Sequence, residues 1–316
     1  MNVSIGFDLG GTNMKAGIVH PEKGVLKQVS IPTQADDGLE ATLDRMAKLI
    51  KEVSDDAEGD ITGVGIGAPG MISLDRRSVH NPPNLKGWYV VPLAEEIRKH
   101  TGFNALVEND ANLMALGSAR YGSGKPYQHF IMITLGTGVG GGIIFNNKIF
   151  RGATGAAAEL GHISIDYDGA VCNSTVPGAI EAYLGQRFMS QRAADEIRKH
   201  PESELYKTYA GNFEALDPRH LSEAANRGNT LAIDILADAG RKLGYAIVNY
   251  VHTLDIRKIV ISGGVAQAGD HILKPCFQAA MERLMPPFRS DFEIIPELLG
   301  NEAALLGAGT LALENL

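Results

Sequence analysis

The sequence predicts a mixed α/β protein of two domains, built to one plan around a cleft. Three observations carry that reading. Short apolar strands alternate with helical periodicities in the first third. A strand–glycine turn–strand unit then recurs, with Leu135, Gly136 and Ile144 in the places of Leu9, Gly10 and Ile18. Finally, 316 residues exceed what one hydrophobic core usually organises.

The elements follow in order. Val3–Phe7, Met14–His20 and Val25–Ile31 read as three strands, joined by the turns Asp8-Leu9-Gly10-Gly11-Thr12 and Pro21-Glu22-Lys23-Gly24. The period then changes. Leu39, Leu43, Met46, Ile50 and Val53 fall at helical spacing, with charged residues opposite. A strand at 63–67 ends at Ala68-Pro69-Gly70, a helix near 92–100 leads to a strand at 105–107, and a helix begins around Ala111. The order is βββαβαβα.

The pattern restarts at Phe130–Leu135, passes through a glycine-rich turn over 136–142, and continues as a strand at 143–145. An Asn146-Asn147 turn then leads into Ile149 and Phe150, a hairpin signature. The remainder reads as mostly helical, with a long helix from about Leu231 to Leu254. It is followed by a strand at 258–261 that ends in Ser262-Gly263-Gly264, and an Ala- and Leu-rich helix closes the chain over 301–313. No low-complexity, Pro-rich or Ser-rich linker stands out.

Composition excludes several classes. Hydrophobic residues at 44% and charged residues at 21% match a globular protein with ample core. A net charge of −8, with no long Lys/Arg run, disfavours nucleic acid as a partner. Cys172 and Cys276 are too few and too far apart for a disulfide framework and fit a reducing compartment. There is no basic leader with a cleavage site and no apolar run of about 20 residues, so a cytoplasmic protein without a membrane partner is expected.

Glycine is abundant, with 37 residues, and it clusters at strand ends 8–12, 136–142 and 262–264. Glycine lets backbone N–H groups approach phosphate closely, although any single loop is equally a tight turn. Gly136, Gly138 and Gly141 spell a dinucleotide fingerprint, but they open a strand where that motif must open a helix. Gly124-Lys125 fails as a P-loop because Ala119 and Pro126 occupy required Gly and Ser/Thr positions.

The segment Phe7-Asp8-Leu9-Gly10-Gly11-Thr12-Asn13-Met14-Lys15 resembles the first phosphate motif of the actin-like ATPase superfamily of sugar kinases. Together with 65–70, Glu108-Asn109-Asp110-Ala111-Asn112, 135–142 and Glu159-Leu160-Gly161-His162, it is similar to the ROK family of repressors, open reading frames and kinases. The resemblance spans Asp8 to about Gly309. It implies two ribonuclease H-like domains flanking an active-site cleft. The smaller would hold 1–117 plus 303–316 and the larger 118–302. Members are commonly dimers or tetramers, so a homo-oligomer is expected. The repressors carry an N-terminal helix-turn-helix domain, which has no counterpart before the first strand here.

The resemblance also implies the site. Asp110 would be the general base of phosphoryl transfer from ATP to a hexose, although Asp110 or Asn109 in this place could equally be a helix N-cap. Asn84, Asn109, Glu159, His162 and Glu181 would join Asp110 in binding the sugar, because carboxylates and amides pair well with hydroxyls. Asp8 would orient hydrated Mg²⁺, or else serve as an Asx-turn residue. Gly10, Gly11 and Thr12 would contact the nucleotide phosphates, with Lys15 beside them. Thr137 and Gly138 would cradle phosphates from the second domain, and Gly263 and Gly264 would let adenosine lie against the backbone.

The sequence departs from the family at its zinc site, usually one His and three Cys. His162 and Cys172 keep their spacing, while Ser174 and Ala179 replace two cysteines and Thr175 a glycine. One thiol and one imidazole fall short of the four ligands of a structural zinc, so zinc is expected to be absent. Loop 166–178 must then be held by packing and hydrogen bonds. The function implied is ATP-dependent phosphorylation of glucose at its 6-hydroxyl. Alternatives are another hexose (N-acetylglucosamine, N-acetylmannosamine, mannose or fructose) or a non-catalytic sugar sensor.

Overall fold

A computed structural model describes residues 2–316, the side chain of Asn301 excepted. The chain opens with strands β1 (Asn2–Leu9), β2 (Asn13–His20) and β3 (Gly24–Pro32), then helix α1 (Leu39–Asp55) and strand β4 (Asp60–Ala68). Three two-residue strands follow, β5 (Met71–Ile72), β6 (Val79–His80) and β7 (Val90–Val91), before α2 (Leu93–Thr101), β8 (Ala105–Asn109) and α3 (Asp110–Tyr121). The second half begins with β9 (Phe130–Leu135), β10 (Val139–Phe145) and β11 (Lys148–Ile149). It then turns helical, with α4 (Glu181–Leu184), α5 (Gln186–Arg198), α6 (Glu204–Tyr209), α7 (Pro218–Asn226) and α8 (Thr230–Leu254). It ends with β12 (Lys258–Ser262), α9 (Asp270–Arg283), β13 (Glu293–Pro296) and α10 (Ala303–Asn315).

The first sheet has the order β3-β2-β1-β4-β8 and the second β11-β10-β9-β12-β13. Position for position these are one arrangement. A meander of three strands supplies one edge, and two parallel strands extend the other side. The recurring strand–turn–strand unit expected from sequence is therefore the start of a repeated sheet. Asn146 and Asn147 both adopt positive φ between β10 and β11 (50° and 60°), as a two-residue hairpin with the strands' twist requires.

The chain divides into two compact units. The first comprises Met1–Gln128, Gly142–Ala158 and Leu298–Leu316, and the second His129–Gly141 and Glu159–Glu297. This division differs from the expected 1–117 plus 303–316, and residues 298–302 are one difference, since the last segment of the first unit begins at Leu298. Residues 118–128 and 142–158 also go with the first unit, where α3 runs on to Tyr121 and Gly142 packs against Ala115. In the first unit α10 lies on β1 and β4 and α1 covers the meander, around a core that includes Ile5, Phe7, Met46, Ile50 and Ile66. In the second unit α8 and α9 pack together, with Gly240 and Gly244 admitting the backbone of α9.

Three local expectations change. The glycine turn of 136–142 is only three residues long, because Gly140, Gly141 and Gly142 already belong to β10. Helix α3 starts at Asp110 instead of Ala111. Strands β5–β7 and β13 were not expected; the first three are too short to reveal a period, and β13 is a four-residue edge strand. Among the described residues no helix is long and apolar enough to cross a membrane.

Candidate active site

In the first unit, register aligns the predicted residues. Asp8 on β1 pairs with Gly67 on β4, and Gly67 pairs with Glu108 on β8, so the three form one row near the carboxyl ends of parallel strands. Ligands of open α/β sheets bind at such ends. Asn109 and Asp110 follow immediately. Gly67 matters here because a Cβ on it would lie 3.8 Å from the Asp110 Cα and only 3.1 Å from the Leu113 side chain.

The helix-cap alternative resolves in favour of Asn109. Its Oδ1 accepts from the backbone N–H groups of Ala111 (3.0 Å) and Asn112 (3.3 Å), and its Nδ2 donates to the Gly70 carbonyl at 3.4 Å. Asp110 accepts the Ala111 N–H on Oδ1 at 2.9 Å, which fixes the plane of its carboxylate. Both side chains are half-buried.

Asp8 is a partly buried carboxylate next to the turn formed by Gly10, Gly11 and Thr12. Burial pushes its pKa above the ordinary 3.8, and the Lys15 ammonium opposes that shift from the paired position on β2. A partly buried carboxylate is a hard oxygen ligand of the kind a hydrated Mg²⁺ takes, and the glycine turn beside it is of the kind that approaches phosphate. The turn closes through Gly10 N–H to the Asn13 carbonyl at 3.1 Å, and Thr33 Oγ1 donates to the Gly10 carbonyl at 2.6 Å. Asn84 is exposed, in a left-handed conformation (φ 66°), and a Cβ on Gly11 would lie 3.1 Å from the Asn84 Cβ. The sugar-binding and phosphate-binding candidates of this unit are thus neighbours.

In the second unit, Thr137 and Gly138 form the turn between β9 and β10, with Gly136 N–H donating to the Gly138 carbonyl at 3.0 Å. Glu181 lies against this turn. Its Oε2 accepts the Val139 N–H at 3.1 Å, and a Cβ on Gly138 would fall 2.4 Å from that oxygen. Glu159 and His162 sit in one helical turn, with His162 Nε2 3.7 Å from Glu159 Oε2. Tyr250 on α8 donates its hydroxyl to the Leu160 carbonyl at 2.6 Å in a fully buried contact, and burial pushes that phenol far above its ordinary pKa. Sequence reading missed this anchor, since Tyr250 is one apolar-face residue of a long helix.

Gly263 ends β12 at φ 102°, and a Cβ there would lie 2.2 Å from the Leu135 carbonyl oxygen. Gly264 is open. A cavity of about 420 Å³ between α5 and α8 has no predicted site residue in its walls, whereas one of about 820 Å³ opens at Thr137 and runs between α5 and the start of α7. Gln186, Gln191, Arg198 and Phe213 line the larger one.

His162, Cys172 and Glu181 bring potential ligand atoms within 4.8 Å of one another, and the buried His162 Nδ1 has no hydrogen-bond partner among the described residues. The donor set still does not fit the family's structural zinc. It offers one thiol and one imidazole, and Glu181 Oε2 already accepts from Val139. The Cys172 thiol instead meets the Ser174 hydroxyl at 3.0 Å. The loop is closed by other means. Ser164 pairs with Ala179 and Val171 with Pro177, Gly178 N–H donates to the Ala170 carbonyl at 2.8 Å, and Cys172, Ala179, Ala182 and Tyr183 form a small core.

Comparison with known proteins agrees with this arrangement. Residues 4–315 match the ROK family. The chain is 34% identical to a glucokinase of Thermotoga maritima over 99% of its own length and 98% of that protein. It is 35% identical to a glucokinase of Streptomyces coelicolor, again over 99% and 98% of the two chains. The crystal structure of a ROK family glucokinase from Streptomyces griseus, in complex with glucose and AMPPNP, superposes with a TM-score of 0.84 at 32% identity. That superposition covers 99% of this chain and 100% of the other. The chain belongs to the ROK family and has the two-domain actin-like ATPase fold of its sugar kinases.

Proposed function

We propose that this chain is an ATP-dependent hexose kinase that phosphorylates glucose at its 6-hydroxyl, with Asp110 as general base. The observation that carries the reading is the row at the carboxyl ends of β1, β4 and β8. It sets the partly buried acid Asp8 beside a glycine turn and presents Asp110 next to an Asn109 whose amide is already oriented by capping. The glucokinase relatives and the glucose complex of the Streptomyces griseus protein support hexose and ATP as the substrates.

In this reading Asp110 accepts the proton of the 6-hydroxyl as its oxygen attacks the γ-phosphorus. The bond from that phosphorus to the bridging oxygen breaks and ADP leaves. The proton passes from Asp110 to water, so the products are hexose 6-phosphate, ADP and a proton. Bound Mg²⁺ would neutralise charge on the phosphate oxygens, with Asp8 as its protein anchor. Gly10, Gly11, Thr12, Thr137 and Gly138 supply the phosphate-facing turns, Lys15 adds charge, and Gly263 and Gly264 lie under the nucleoside. Asn84, Asn109, Glu159, His162 and Glu181 pair with sugar hydroxyls, where each unmatched polar group would cost affinity. Structural zinc is not part of the protein.

A coupled assay over a panel of hexoses tests the substrate. Glucose should give the highest kcat/KM, and absence of ADP release with glucose rejects it. Asp110→Asn should lower kcat by about 10²–10⁴-fold, the usual contribution of a positioned base. Near-normal turnover in that variant would remove Asp110 from its role.

A further inference from the structure

The residue just before the Asn109–Asp110 pair is a carboxylate with no exposure at all. Glu108 has 0% relative accessibility, in the strand that ends one residue before the proposed base. Glu is almost never fully buried unless its charge is answered. Here both oxygens are engaged, although Arg151 Nε meets Glu108 by charge and proximity alone, without hydrogen-bond alignment. Oε2 takes Arg76 Nε at 3.0 Å, and Arg151 Nε lies 2.8 Å from the same oxygen as an ion pair. Oε1 accepts the backbone N–H of Asn109 at 3.0 Å and Asn112 Nδ2 at 3.2 Å.

The two arginines come from segments distant in sequence, and each is held in turn. Arg151 follows β11, and its two terminal nitrogens donate to the Leu74 carbonyl at 2.6 Å and the Ser73 carbonyl at 2.9 Å. Arg76 occupies a left-handed conformation (φ 61°), unusual for a non-glycine residue. Its carbonyl accepts the Val107 N–H at 2.9 Å, and its own N–H donates to the Ser73 carbonyl at 2.9 Å. Loop 73–76, the segment after β11 and the end of β8 thus meet at one buried carboxylate, and that carboxylate grips the first backbone N–H of the Asn109–Asp110 pair.

We propose that Glu108, clamped by Arg76 and Arg151, is a positioning residue for phosphoryl transfer, fixing the backbone from which Asn109 caps α3 and Asp110 acts. The inference rests on the reading of Asp110 as base. A charge-free buried contact could fill the same space, but it could not bond Asn109 N–H and Asn112 Nδ2 while drawing two guanidinium groups to one point. Glu108 does not itself touch substrate in this scheme. Its effect is geometric, and a misplacement of about 1 Å can cost about 100-fold in rate.

The test uses Glu108→Gln, Arg151→Met, their double variant and Asp110→Asn in the full chain. Glu108→Gln and Arg151→Met should each lower kcat by roughly 10- to 100-fold, while KM for ATP moves less than about 3-fold. The double variant should match the worse single one, because residues acting as a unit are not additive. Amide hydrogen exchange at Ala111 and Asn112 should quicken in both single variants by at least about 10-fold, reporting the loosened cap. Losses that multiply, a kcat within about 3-fold of wild type, or unchanged exchange at those amides would each overturn the proposal. If Glu108→Gln does not fold, Arg151→Lys carries the same measurements, since it keeps the charge but cannot span both carbonyls. If Asp110→Asn stays active, the base reading fails. If Asp110→Asn is inactive while Glu108→Gln is not, this inference alone fails.

Discussion

Asp8 faces two opposed demands. Burial penalises its charged form and lifts the folded-state pKa above 3.8, with Lys15 offsetting part of that. The stability that Asp8 contributes is therefore complete below about pH 3.8 and is lost as pH rises through the elevated value. At neutral pH the metal-free protein holds a carboxylate it would prefer protonated, a cost consistent with the cation-binding role proposed for it. Asp8→Asn should accordingly melt higher than wild type at pH 7 without Mg²⁺, and the gain should vanish below about pH 3.8. Activity should be lost in the same variant. Calorimetry across pH checks this, and a lower melting temperature at pH 7 would count against it. Much of this scale was legible in the sequence, because Asp8, Gly10 and Gly11 stand together in one motif. Which of Asn109 and Asp110 caps α3 was not legible until the backbone showed that the Asn109 side chain reaches both the Ala111 and Asn112 N–H groups. Glu108 gave no signal of its own, since its partners lie 32 and 43 residues away along the chain.

At the scale of elements, glycine has a second use that clustering did not announce. Helix α10 lies so close to its neighbours that side chains are excluded. A Cβ on Gly307 would be 1.8 Å from the Leu113 carbonyl oxygen of α3, and one on Gly65 would be 1.8 Å from the Ala308 carbonyl oxygen. Gly117 on α3 likewise faces the Ala303 carbonyl at 2.1 Å. Overpacking costs about 1–3 kcal/mol where neighbours can move, and backbone in two packed helices yields little. Gly307→Ala gains about 1 kcal/mol of helix propensity and loses about 3 to the clash, a net destabilisation of about 2 kcal/mol. Urea titration should show a lower midpoint at unchanged slope, and a midpoint at or above wild type would refute the clash. The long elements were readable because α1 and α8 repeat their apolar spacing over many turns. Strands β5, β6 and β7 span two residues each, and no periodicity exists at that length.

Over the whole molecule, one sheet order occurs twice, and a faint repeat of leucine, glycine and isoleucine was enough to anticipate it. The second copy carries the loop that the family closes with zinc, and here the balance tips towards packing. Four soft or imidazole donors would supply folding free energy outright. This loop has two such donors, and its closure runs through the Ser164–Ala179 and Val171–Pro177 pairs and the core around Tyr183. Tyr183 also holds the loop from below, its hydroxyl accepting the Ala170 N–H at 3.3 Å, while the Arg192 guanidinium and the Lys242 ammonium lie over its ring, 4.6 and 5.6 Å from the centroid. The remaining trio of His162, Cys172 and Glu181 offers one imidazole, one thiol and one carboxylate, with a Glu181 oxygen on the Val139 N–H and the Cys172 thiol against Ser174. Protein purified without chelator should therefore carry substoichiometric zinc. Its melting temperature should not change with EDTA, because only a ligand bound to the folded state stabilises it by mass action. Plasma mass spectrometry finding one zinc per chain, with a melting temperature that falls on chelation, would overturn this and make Glu181 a metal ligand instead of a sugar partner.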